Sequence, residues 1–131
     1  AQLSRGLGDV YKRQGVSMYQ QDNINIPVLG IVENMAYYKT ENDNVKHYIF
    51  GKDGAKNLAE DFKIPFLGEI PIIQQIRESA DVGRPLSVDD DSDVTLIYNE
   101  ITKKMIKFLV ERNKNLPPTE ILKIKTMAGC Q

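Results

Sequence analysis

The sequence of 131 residues contains one cysteine, one histidine and no tryptophan. With Cys130 alone, no disulfide can form within the chain. This is typical of a reducing compartment and predicts a cytoplasmic protein. One cysteine also cannot by itself supply the several ligands that a zinc ion or an iron–sulfur cluster usually requires. We therefore assign no metal-ligating residue.

An excess of charge of one sign and long apolar runs are also absent. The 17 basic and 18 acidic residues leave a net charge of −1, which gives no electrostatic reason to expect nucleic acid or an anionic membrane as a partner. No apolar run approaches the ~18–20 residues of a membrane span, and the start does not resemble a signal peptide. A content of 41% hydrophobic and 27% charged residues is that of an ordinary globular protein.

The first 14 residues, AQLSRGLGDVYKRQ, show neither a helical nor an alternating apolar pattern. The stretch RGLGDVYKRQ resembles translated sequencing-adapter DNA of the kind found at broken ends of reading frames. We interpret residues 1–14 as a non-native or disordered leader and expect the protein proper to begin near Gly15. Residues 15–115 then form the ordered part, and residues 116–131, which open with Leu-Pro-Pro, form a tail.

From Gly15 onward, the apolar pattern predicts alternating strands and helices. The predicted elements are a buried strand over 26–34, a strand or packed turn at 48–50, a helix over 51–63, a buried strand over 64–70, a helix over 72–80 and a long helix that starts in the DDDSD segment. This order is typical of an open α/β sheet with parallel strands. Two clear strands are too few for a complete sheet of this kind, so we expect the C-terminal portion of a larger domain.

Polar residues follow both predicted strands at the edge where open α/β sheets bind ligands. The first strand end delivers Glu33, Asn34 and Met35, and the second delivers Glu69, Ile70 and Pro71. An asparagine amide offers an acceptor beside a donor and can pair with the N6 and N7 positions of adenine, while a proline-containing turn can stack on the base. The alternative is that Asn34 only caps or turns the chain after the strand.

Three other features suggest chemistry less strongly. The segment Gly51-Lys52-Asp53-Gly54 does not match a phosphate-binding loop, because the lysine precedes the second glycine, and we interpret it as the start of a helix. His47 has no recognisable catalytic partner in the sequence, so we assign no catalytic residue. Aromatic residues flank the polar loop 39–47, where they either pack together or form a contact surface.

The segments PVLGIVENM and YIFGKDGAKNLAEDFKIPFLGEIPIIQQIRESADVGRPL together resemble the C-terminal third of Mrp/ApbC-type P-loop ATPases. These belong to the MinD/ParA-like branch and carry or scaffold iron–sulfur clusters. The resemblance implies the C-terminal portion of an open, mainly parallel P-loop NTPase sheet flanked by helices. It also implies ATP with Mg²⁺ as cofactor of the full-length protein, a homodimer, and apo iron–sulfur proteins as partners. Asn34 and Met35 would line the adenine pocket on one side, and Gly68, Glu69, Ile70 and Pro71 on the other.

Two departures from the family pattern limit these expectations. Many members carry a C-x-x-C pair between the V-E-N-M and Y-I-F-G segments, where this chain has YKTENDNVKH. Either a cluster is held by other ligands, such as Cys130 across a dimer, or the chain does not bind one. The phosphate loop and the magnesium-binding segment of the family lie upstream of the matching region. The chain alone is therefore predicted to be inactive as an ATPase. A MinD/ParA-type positioning ATPase and a non-catalytic interaction module are the alternative functions.

Overall fold

The structure is a computed structural model that describes residues 2–22, 24–40, 45–86 and 92–118, with side chains from residue 8 onward. Its elements are α1 (Gln2–Tyr19), β1 (Ile31–Glu33), β2 (Tyr38–Lys39), β3 (Lys46–His47), α2 (Gly54–Asp61), β4 (Phe66–Glu69), α3 (Gln74–Asp81) and α4 (Asp93–Asn115). The predicted α/β class is confirmed. The predicted tail beyond residue 118, with Cys130, lies outside the described residues.

The central sheet consists of β1 and β4, which pair in parallel with Val32 opposite Gly68 and Glu33 opposite Glu69. The predicted pair of parallel strands is thus confirmed, with α2 as the crossover between them. The predicted strand over 26–34 is wrong in extent and in burial: the ladder covers three residues of β1, and all three are only half-buried. Within the described chain β1 has a single neighbouring strand, and the residues directly before Ile31 belong to no strand.

Helix α2 packs its apolar face on the sheet. Ala55, Leu58 and Ala59 are buried, as their helical spacing predicts. The helix begins at Gly54, after Asp53 with a left-handed φ of 59° and Gly51 with a φ of 101°. The glycine-rich segment is therefore a turn into a helix, as interpreted from the sequence.

Helix α4 is the longest element and contacts β4. It begins as predicted at the end of the DDDSD segment, where the Ser92 Oγ accepts a hydrogen bond of 3.1 Å from the backbone N–H of Thr95. Val94 is buried near its start, whereas Met105, Ile106, Leu109 and Val110 in its second half are 39–50% exposed. The helix ends at Asn115, just before the Leu-Pro-Pro segment.

Three predictions about local structure are wrong in whole or in part. Residues 2–14 are not irregular but belong to α1, which Arg13 ties to α2 through an ion pair with Asp61 and a position 6.0 Å from the ring centroid of Phe62. Helix α3 begins at Gln74 rather than at residue 72, because Ile73 is extended. Residues 48–50 do not form a strand: 49–50 form a turn, the alternative interpretation, but their side chains are more than 60% exposed, and only Tyr48 of this segment is packed, against Tyr37.

Candidate functional site at the strand ends

Asn34 directly follows β1 and makes a local hydrogen bond. Its Oδ1 accepts a bond of 3.0 Å from the backbone N–H of Met35, which has a φ of 55° and is 51% exposed. Asn34 therefore does turn the chain after the strand, as the simpler interpretation holds. Its Nδ2 group donates to no other described residue, so the amide still offers a donor, and Oδ1 retains a second lone pair.

A cavity of about 530 Å³ lies beside this turn, between α1, β1 and α2. Asn34 and Met35 belong to its lining, and Val16, Tyr19, Val32 and Leu58 form part of its apolar walls. Lys12 is the one basic residue of the lining. The volume lies in the range of small-molecule sites, which is roughly 300–1,000 Å³. This strand end therefore has space next to it for a ligand of nucleoside size.

The second strand end, Gly68–Pro71, lies against the first but does not line the cavity. The Ile70 N–H donates to the Glu33 carbonyl at 2.9 Å, and the Ile70 carbonyl accepts from Ala36 N–H at 2.9 Å. The side chains of Ile70 and Pro71 are buried. The structure thus brings the two predicted segments together through the backbone. Of the six residues predicted to bind the base, Asn34 and Met35 line the cavity and the four of the Gly68–Pro71 segment do not.

Glu33 has a structural role that the sequence pattern does not reveal. Its Oε1 accepts hydrogen bonds from the backbone N–H groups of Gly54 (3.1 Å) and Ala55 (3.4 Å) at the start of α2. The residue that precedes the helix, Asp53, makes no capping bond with its side chain. The second oxygen of Glu33, Oε2, is buried and has no hydrogen-bond partner in the described part of the chain. A carboxylate from a neighbouring strand thus replaces the usual local cap.

The β2–β3 hairpin carries a cation that contacts the second strand end. The Lys46 Nζ donates to the Glu69 Oε2 at 2.9 Å and lies 4.0 Å from the ring centroid of Tyr37. The hydrogen bond with Glu69 is the main reason why the pKa of Lys46 is raised above its usual 10.5. Lys46 is therefore charged throughout the physiological range.

The hairpin segment does not fit an iron–sulfur cluster. Its sequence contains no cysteine, and in the ranges that the structure describes, no group of three or more His, Cys, Asp or Glu residues could hold a metal ion. His47 is exposed on β3. Of the described helices, none has the length and apolar character needed to cross a membrane.

Comparisons with known proteins identify the family. The model for the "ParA: NUBPL iron-transfer P-loop NTPase" family matches residues 7–106. The chain is 43% identical over 104 residues to the iron–sulfur cluster transfer protein NUBPL of Dictyostelium discoideum, covering 79% of this chain and 31% of that protein. It is 39% identical over 110 residues to the iron–sulfur cluster carrier protein of Aquifex aeolicus, covering 83% and 29%.

A solved structure, the nucleotide-binding protein of Archaeoglobus fulgidus in complex with ADP, shares 37% identity and a TM-score of 0.48, covering 61% of this chain and 31% of that one. The chain spans about a third of the length of the curated relatives that it matches. The family match begins inside residues 1–14, which were interpreted as a leader. The chain belongs to the ParA/NUBPL family of iron-transfer P-loop NTPases, in which the curated relatives are iron–sulfur cluster carrier and transfer proteins.

Proposed function

We propose that this chain forms the base-binding side of an ATP site in an iron–sulfur cluster carrier ATPase. The observation that supports this most is Asn34, which stands at the carboxyl end of β1, lines the cavity of about 530 Å³ and keeps its amide N–H groups free of described partners. The Asn34 Nδ2 donates to a ring nitrogen of adenine, and the second lone pair of Oδ1 accepts from the exocyclic amino group. Met35 contacts the base through its exposed thioether chain.

The Gly68–Pro71 segment supports the site from the second strand, through the hydrogen bonds of Ile70 with Glu33 and Ala36, without lining the cavity. Its contribution is mainly through the backbone, because Ile70 and Pro71 are buried and Glu69 is paired with Lys46. Among the described residues, no group of three or more His, Cys, Asp or Glu side chains could hold Mg²⁺. We expect the chain to bind nucleotide, and we assign hydrolysis with Mg²⁺ to the full-length protein.

The same proposal includes the partners of the whole protein. Carrier function implies delivery of a cluster, as cargo, to apo iron–sulfur proteins, and we infer a cytoplasmic homodimer. Side chains around the hairpin that do not line the cavity support a contact role: Tyr38 and Ile49 are 41% and 61% exposed. Because the hairpin sequence lacks cysteine, we derive no step in which this segment ligates the cluster.

The decisive experiment is a titration of the 131-residue chain with ATP and GTP, followed by amide chemical shifts in NMR spectra. We expect ATP to shift the signals of Asn34, Met35 and Gly68 and to bind more tightly than GTP. Asn34→Ala removes one to two hydrogen bonds to adenine and should weaken ATP binding by about fivefold to tenfold.

Asn99→Ala is the matched control, since Asn99 is exposed on α4 and should leave binding unchanged. Equal losses of ATP and GTP affinity in Asn34→Ala would mean that Asn34 does not read the base. Shifts confined to α4 or α3 would contradict the site altogether. Release of inorganic phosphate by the purified chain, beyond that of a heat-denatured sample, would contradict the assignment of hydrolysis to the full-length protein.

A further inference from the structure

The second strand end carries a negative charge next to the cavity in which an anionic nucleotide is proposed to bind: Glu69 lies opposite Glu33 in the β1–β4 pair, and Glu33 lines that cavity. Glu69 is the last residue of β4, and its side chain is 24% exposed. A carboxylate at this edge would repel the phosphates of a nucleotide bound at the strand ends. The site therefore needs a counter-charge for Glu69.

Lys46 supplies that charge from the hairpin. Its Nζ is 2.9 Å from the Glu69 Oε2, and its side chain is 39% exposed. The contact joins residues 23 positions apart in sequence, so it ties the hairpin to the central sheet. In the described chain these are two separate sheets.

The residues around Lys46 favour its ion pair with Glu69 over a side chain that is free in solvent. Lys39 lies directly opposite Lys46 in the β2–β3 pair, where two like charges destabilise a hairpin unless a counter-charge is near. The buried Tyr37 places its ring 4.0 Å from the Lys46 Nζ, which adds a cation–π contact. The ring of Tyr48 then packs edge-on against Tyr37, with centroids 6.3 Å apart.

The backbone connects the same two regions. The Tyr37 carbonyl accepts a hydrogen bond of 2.7 Å from the N–H of Ile72, directly after the Gly68–Pro71 segment. Lys46 contacts Glu69, and Tyr37 contacts Ile72, so both residues connect the hairpin region to the segment 69–72. A change at Lys46 is therefore expected to affect this segment.

We propose that Lys46 is a positioning residue for the nucleotide: it neutralises Glu69 and holds the β2–β3 hairpin against the end of β4, so that the strand ends accept an anionic ligand. This rests on the proposed nucleotide site and adds a residue that acts through Glu69. We expect the effect of replacing Lys46 on binding affinity to depend on the charge of the ligand, since a purely structural role would affect ATP and neutral adenosine alike.

The test compares ATP and adenosine binding by NMR titration at low ionic strength in five forms of the 131-residue chain. These are the wild type, Lys46→Met, Lys46→Arg, the double variant Lys46→Met/Glu69→Gln, and Lys103→Met. Lys46→Met should weaken ATP binding by about fivefold and adenosine binding by less than about twofold. Lys46→Arg should restore ATP binding because it keeps the charge, and the double variant should restore it because it removes the repelling carboxylate.

Lys103→Met is the matched control, because Lys103 also pairs with a glutamate, at 2.8 Å, but on the exposed side of α4. It should leave both affinities unchanged. The difference between ATP and adenosine in Lys46→Met should also shrink at high salt, where exposed charges are screened. Equal losses for both ligands, or a failure of the double variant to recover ATP binding, would overturn the proposal.

Spectra without nucleotide separate this inference from the proposed function. In the free chain, Lys46→Met should shift the amide signals of Gly68, Glu69 and Ile70, while Lys103→Met should not. Unchanged signals at these residues would refute the positioning role whether or not nucleotide binds. If these signals move but no form of the chain binds ATP, the tie between hairpin and strand is real, whereas the proposed nucleotide function and the charge effect on binding both fail.

Discussion

Glu33 shows how much a single residue at a strand end can do in this fold. Its Oε1 accepts two backbone N–H groups at the start of α2, and this links the strand that carries Asn34 to the helix that covers it. These two N–H groups have no partner within the helix, and Asp53, the residue before the helix, makes no capping hydrogen bond with its side chain. The position of Asn34 in the candidate site therefore depends on Glu33, although Glu33 has no assigned contact with a ligand.

Replacing Glu33 separates the roles of its two oxygens. Glu33→Ala should lower the free energy of unfolding by about 1–2 kcal/mol, because two N–H groups at the helix start lose their acceptor. Glu33→Gln should cost much less, since it keeps an oxygen for those two donors, and the Oε2 that it replaces has no described partner. Urea denaturation followed by circular dichroism measures both values. A Gln variant as unstable as the Ala variant would show that the negative charge itself stabilises α2.

At the scale of elements, the close packing of α4 on β4 depends on a glycine. A Cβ built on Gly68 would lie 2.9 Å from the Ile101 Cγ1, and a Cβ on Gly30 would lie 2.5 Å from the Leu67 Cγ. Both positions bring a strand close to a bulky side chain. Gly68 is thus needed for packing, and a glycine in a sequence pattern does not distinguish a packing requirement from a binding one.

Gly68→Ala should therefore destabilise the protein by about 1–3 kcal/mol, because the added methyl group forces Ile101 and the first half of α4 away from the sheet. Gly8→Ala is a suitable control: a Cβ there meets nothing within 4 Å, and alanine favours the helix α1. Thermal melts of both variants measure the difference. A Gly68→Ala variant with unchanged stability would mean that α4 is not held against β4 in solution.

The order and type of the main elements could be predicted from the sequence, because their causes are local. The buried residues of α2 follow its helical spacing, and the acidic segment with Ser92 marks the start of α4. The extent of the strand over 26–34 and the helical structure of residues 2–14 were not predicted, for a different reason. The ladder of β1 depends on its pairing with β4, and α1 is tied to the body through Arg13 and Asp61, which lie 48 residues apart.

The whole molecule combines a small core with many exposed apolar side chains. Among the described residues, nine hydrophobic side chains are buried, three of them alanines, and no large side chain is less than 2% exposed. Leu96, Met105, Ile106, Leu109 and Val110 of α4 are all at least 39% exposed. In the described chain the central sheet has two strands, so the outer edge of each strand has no neighbouring strand to accept and donate hydrogen bonds. We therefore expect the chain to associate as its concentration rises.

Sedimentation velocity over a range of concentrations tests this prediction. Ile106→Glu with Val110→Lys should reduce association, because the pair replaces exposed apolar surface with an i, i+4 ion pair that suits a helix. Lys103→Arg, at an exposed position on the same helix, keeps the charge and should leave association unchanged. A monomer at every concentration, with cooperative unfolding, would show that the described core suffices for the chain by itself.

The sequence by itself determined the α/β class, the succession of elements from Gly51 onward and the two strand ends as the place to search for a ligand, because periodicity, caps and turn residues act over a few positions. Tertiary structure alone decided which residues meet there. The Glu33 cap on α2, the Lys46–Glu69 pair and the position of Asn34 beside the cavity join residues 20 or more positions apart or elements that only the folded chain brings together. The energies of such contacts depend on distance and burial, which a linear pattern does not contain.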